Sequence, residues 1–65
     1  MTRSHSTEMS ARMLAYYLRR IRLTHSVPAL QRLANEIEAQ YPEDGATPRL
    51  KGVIAAKEAR LIEAN

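Results

Sequence analysis

Between residues 7 and 24 the apolar side chains recur at helical spacing. At about 100° per residue, Ala11, Leu14, Tyr17, Leu18 and Ile21 form one stripe. Met9, Met13 and Tyr16 extend it sideways, so the apolar arc spans roughly 220°, about twice what a helix resting on one neighbour needs. Arg12, Arg19 and, near the edge, Arg22 hold the remaining face, and Arg20 interrupts the Met13–Tyr16 flank. Ser6 or Thr7 is placed to cap this helix, and Glu8 stands four residues before Arg12 in the favourable order for a helical ion pair. Two arrangements accommodate so wide an arc. Either the first helix is sandwiched between the other two, or a second chain covers part of it.

Thr24-His25-Ser26-Val27-Pro28 reads as a break and restart, because proline is tolerated only in the first turn of a helix and biases the residue before it away from helical geometry. Ser26 or Val27 is the cap. The second helix, about 27–41, has a narrow stripe of Leu30, Leu33, Ala34, Ile37 and Tyr41 opposite Gln31, Arg32, Glu36, Glu38 and Gln40. Pro42 and Asp44-Gly45 mark a loop, and Thr47-Pro48 a restart with Thr47 as the cap. The third helix, about 48–63, places Leu50, Val53, Ile54 and Leu61 on one stripe, with Lys57 inside it. Gly52, Ala55, Ala56, Ala59 and Ile62 form a second face where another helix can approach closely.

The pattern predicts an all-α, three-helix domain spanning 1–65, with residues 1–5 a frayed N-terminus. The surplus apolar faces of the first and third helices predict a homodimeric bundle. Length points the same way. A chain of 65 residues buries only about 60% of its unfolded surface and gains from oligomerisation or very regular packing.

Charge changes the picture more than composition does. Residues 1–34 carry six arginines against Glu8, a balance of +5, and residues 35–65 carry six acids against four bases, a balance of −2. Halves of opposite sign suit nucleic-acid contact by the first and equally suit antiparallel self-association. The absence of cysteine removes disulfides and thiolate metal sites and fits a reducing compartment. His5 and His25 are too few for a closed zinc site, so no metal or cofactor is expected. With no signal-like segment and no apolar run long enough to span a bilayer, the expected location is cytoplasmic, with no membrane partner.

Catalytic constellations are lacking. Ser26 follows His25 directly, but neighbours at a helix start do not aim at each other, and no acid is placed to orient the imidazole. Glu36 and Glu38 diverge on the second helix, and Glu43 and Asp44 read as solvated loop acids. No glycine-rich phosphate loop is present. The three tyrosines fall on or beside helical stripes, where packing explains them better than catalysis.

Two binding readings remain. Arginine, tyrosine and methionine are favoured at protein interfaces, and the first helix concentrates all three. Met9, Met13, Tyr16, Tyr17 and Arg20 are therefore the expected partner-binding residues of a non-enzymatic regulator, adaptor or inhibitor. Burial under the third helix or a dimer mate is the competing explanation for that patch. Alternatively, Arg12, Arg19 and Arg22 contact the phosphates of DNA or RNA, each contact steepening the salt dependence of affinity. A helix-turn-helix arrangement fits less well. The second helix exposes two glutamates, and the 42–48 turn exceeds the three or four residues usual in that motif. Lys57 either snorkels to water at the bundle edge or pairs with an acid across an interface. In size, helix content and lack of cysteine the chain is similar to many small bacterial and phage regulators, though no motif carries residues over from one of them.

Overall fold

A computed structural model describes residues 9–64. It shows three helices in chain order: α1 Ala11–Leu23, α2 Val27–Gln40 and α3 Ala46–Ala64, with no strand among the described residues. The chain is an all-α, three-helix domain. The segment expected to fray, the caps proposed at Ser6 and Thr7, and the Glu8–Arg12 pair lie outside the described residues.

Helix α1 begins later than its periodicity predicts. Ser10 is extended (φ −73°, ψ 162°), and its hydroxyl oxygen accepts the Met13 amide at 3.1 Å. That bond satisfies one of the donors a helix start leaves orphaned. Met9 precedes the cap and Leu14 follows it at the fourth helical position, the two places of a hydrophobic staple. Both are partly buried against the core. Met9 thus contributes apolar cover without being helical, which is why it extends the stripe in sequence.

The break at Thr24–Ser26 and the restart at Val27 match expectation. The Ser26 hydroxyl accepts the Ala29 amide at 3.4 Å, and Pro28 sits in the first turn. The restart of α3 differs. It begins at Ala46, because Asp44 rather than Thr47 supplies the cap: its Oδ1 accepts the Ala46 amide at 2.8 Å, and its carbonyl accepts the Thr47 amide at 3.1 Å. Thr47 is instead buried inside the first turn, and its hydroxyl donates to the Tyr41 carbonyl at 2.5 Å. This bond ties the start of α3 to the end of α2. Pro48 remains within the first turn, where its missing N–H costs no hydrogen bond.

The core consists of Tyr17 and Ile21 from α1, Leu30, Leu33 and Ile37 from α2, and Leu50 and Ile54 from α3. Each such side chain contributes about 1.5–3 kcal/mol relative to exposure. Helix α3 packs against both of the others. The central helix is therefore α3, and the sandwiched arrangement drawn for α1 is not the one formed. Helix α1 buries Tyr17 and Ile21 and leaves the rest of its wide arc at the edges or in water: Leu14 and Met13 are half-buried, and Ala11 and Leu18 are exposed. The small-residue face of α3 is also open. Gly52, Ala55, Ala56 and Ala59 are exposed, and a Cβ on Gly52 would meet nothing within 4 Å. No helix among the described residues is long and apolar enough to cross a membrane.

Candidate functional site

Helix α1 presents three sides, and the residues singled out in the sequence divide among them. The inward side holds Tyr17, only 3% exposed. Its ring meets Tyr16 edge-on at 5.3 Å and Tyr41 at 6.4 Å, both favourable aromatic geometries. Burial pushes the Tyr17 phenol above its ordinary pKa, with the Glu36 carboxylate adding to the effect. As a core residue, Tyr17 does not present its side chain to a partner in this fold, which corrects its place among the expected contacts.

The side toward α2 holds Met9, Met13, Tyr16 and Arg20. Met9 and Met13 pack partly buried against the core. Arg20 bridges to Glu36 at 3.0 Å, lies 5.5 Å from the centre of the Tyr16 ring, and donates to the Tyr16 hydroxyl at 3.4 Å. Burial works to lower the Arg20 pKa, but hydrogen bonding and charge from Glu36, helped by Tyr16, outweigh it and leave the pKa raised. Of the five residues expected at a partner surface, Tyr16 is 47% exposed and the Arg20 side chain is 39% exposed but paired, while Met9 and Met13 are partly buried and Tyr17 is buried. The patch is largely engaged within the chain.

The side toward α3 is different. A hollow of about 240 Å³ opens between the helices, lined by Leu14, Leu18, Arg49, Leu50 and Val53. It continues along Arg22, Ala56 and Arg60 toward the end of α1, and Arg19 borders it on the outer side of Leu18. Leu18 and Val53 are 36% and 42% exposed. The arginines Arg19, Arg22, Arg49 and Arg60 are exposed, and no acid lines these hollows among the described residues. The ion pairs among the described residues, Arg20–Glu36 and Lys51–Glu38, both use acids of α2. Charge is thus sorted by side, with the α1/α3 face basic around an apolar floor. Arg12 is exposed too, on the outer surface of α1.

Sequence reasoning placed Leu18 and Val53 in core stripes. Both instead line the hollow between α1 and α3 beside arginines, while Tyr17 and Ile54 enter the core. Lys57 follows neither expected reading. Its ammonium donates to the carbonyls of Ile21 and Arg22 at 2.8 and 2.6 Å. Asp44 is likewise no solvated loop acid. It accepts the amides of Ala46 and Met9, and these two bonds hold its carboxyl below the usual carboxylate range.

The Ser26 hydroxyl serves the start of α2, while His25 is exposed beside it. The described residues include no cluster of three or more histidine, aspartate or glutamate side chains able to hold a metal ion. No protein-family model matches the chain, and no curated protein or solved structure matches it significantly.

Proposed function

We propose that this is a small non-enzymatic binding protein, acting in the cytoplasm as a regulator, adaptor or inhibitor by protein–protein contact through the apolar and arginine surface of α1. The observation that carries this reading is the exposure of Leu18 beside Val53 between four exposed arginines. Arginine bordering desolvatable apolar area is the composition favoured at interface cores. The centre of the contact moves accordingly, from the Met13–Tyr16–Arg20 flank to the groove shared with α3. Affinity capture from the native host, with nuclease treatment and mass spectrometry, tests it. A discrete protein retained by the wild type and lost with Leu18→Asp supports the reading; an unchanged capture profile in that variant contradicts it.

A second reading keeps a specific observation behind it. Arg12, Arg19 and Arg22 are all exposed, and Arg49 and Arg60 add two more positive charges to one side of the molecule. A DNA- or RNA-binding role predicts that Arg12, Arg19 and Arg22 changed to Glu abolish nuclease-sensitive capture while Leu18→Asp spares it. The homodimer is carried as a further proposal on the open face of α3, where Gly52, Ala55 and Ala59 are exposed and Ile62, farther along the helix, is 63% exposed. Sedimentation showing a monomer at tens of micromolar would remove it.

A further inference from the structure

We infer that the α1/α3 groove receives an acidic amphipathic helix of a partner protein, its apolar stripe seated on Leu18 and Val53 and its carboxylates on the arginine rim. The inference rests on the protein-binding reading above and specifies the occupant. The groove lies between two adjacent helices and is floored by Leu14, Leu18, Leu50 and Val53. A third helix laid there presents anchors at i, i+3, i+4 and i+7, the common pattern of helix-in-groove recognition. The rim selects the sign of the partner. Arg22 on the α1 side and Arg49 and Arg60 on the α3 side flank the floor, with no acid lining it among the described residues. Charge complementarity of this kind orients a partner and excludes those of like charge.

Three other occupants fit less well. Single-stranded nucleic acid binds through aromatic platforms interleaved with positive charge. Here Tyr16, Tyr17 and Tyr41 gather away from the groove, around Arg20 and Glu36, and none lines the hollows. A duplex would meet the arginines but would leave the leucine and valine floor without a role. A second copy of this chain docked face to face would set one arginine rim against another. The acids best placed to answer it are already engaged, Glu36 with Arg20, Glu38 with Lys51, and Asp44 with main-chain amides.

The test uses the full chain, isotopically labelled, and three synthetic probes: an 18-residue alanine-based helix with leucines at i, i+3, i+4 and i+7 and four glutamates flanking that stripe, the same helix with lysines for glutamates, and a 16-base-pair DNA duplex. Amide shift changes centred on Leu18, Val53 and Ala56 with the acidic helix, and not with the other two, are the expected result. Affinity should fall about tenfold in the Arg49→Ala, Arg60→Ala double variant and more in Leu18→Asp. A Leu18→Asn variant, checked for native spectral dispersion, guards against loss of folding. Equal binding of the basic helix would overturn this inference and leave the protein-binding reading standing. Binding of the duplex alone would overturn both. No shift change with any probe in the well-folded wild type overturns the assignment of this groove to an acidic helix.

Discussion

Lys57 of α3 donates its ammonium to the carbonyl of Ile21 at 2.8 Å, 36 residues earlier in the chain. The same nitrogen reaches the Arg22 carbonyl at 2.6 Å. The last four carbonyls of a helix have no partner within it, and its C-terminus carries partial negative charge. Thr24 serves the Arg20 and Ile21 carbonyls from within the chain's own turn, and Lys57 adds a second donor to Ile21 and one to Arg22 from another helix. A lysine in an apolar stripe is here the cap of a neighbouring helix. Lys57→Met keeps the stem and removes the donor, so it should lower stability by about 1–2 kcal/mol. A shift of the urea midpoint to lower concentration checks this; an unchanged or higher midpoint would show that the ammonium contributes nothing.

Asp44 gives the fold an acid-sensitive joint. Its folded pKa is depressed by hydrogen bonds from the Ala46 and Met9 amides, whereas an unfolded aspartate titrates near 4. Its contribution is therefore complete above the unfolded value and is lost as pH falls through the lower folded one. Asp44→Asn should be less stable than wild type at neutral pH, and the two curves should converge in acid. Thermal midpoints measured from pH 7 down to pH 2 decide it, and curves that stay parallel throughout would rule the joint out.

Gly52 sits inside α3, exposed, with open space where a Cβ would be and no positive φ. Alanine there removes backbone freedom from the unfolded chain without strain, a gain of about 0.5–1 kcal/mol. The thermal midpoint of Gly52→Ala should rise by about 2–8 °C. A fall would indicate that something lies close against this face, and a parallel loss of self-association would identify it as a second chain.

The Arg20–Glu36 bridge is conspicuous but its side chains are 39% and 42% exposed. Solvent screening limits such pairs to about 0.2–1 kcal/mol. A double-mutant cycle with Arg20→Ala and Glu36→Ala should return a coupling within that range that shrinks in high salt. A salt-insensitive coupling of several kcal/mol would mean that this bridge, with Tyr16 beneath it, organises the α1–α2 contact.

These cases also show where the sequence is informative. The one-sided stripe of α2 identifies Leu30, Leu33 and Ile37, all buried, because a narrow apolar face has a single way to be covered. The arc of α1 is too wide for that logic. Periodicity states that Met13, Tyr17 and Leu18 are near the core, but only the placement of α3 decides that Tyr17 enters it and Leu18 does not. The cap of α1 is ambiguous locally, since Ser6, Thr7 and Ser10 obey the same rule. Asp44 and Lys57 are invisible to local patterns because their partners, Met9 and Ile21, are 35 and 36 residues away. The groove needs both kinds of information. Its arginines are plain in the sequence, while their assembly from α1 and α3 around Leu18 and Val53 is a property of the fold.

The central claim is that a protein partner docks on the α1/α3 face. Site-specific photocrosslinking in the native host tests it most directly, with a photoreactive residue placed singly at Leu18, Val53, Tyr16 or Gln31. The account predicts a discrete, nuclease-resistant polypeptide adduct from positions 18 and 53 and none from position 31, on the outer face of α2. Adducts from position 16 without any from 18 or 53, or adducts that disappear on nuclease treatment, would contradict it.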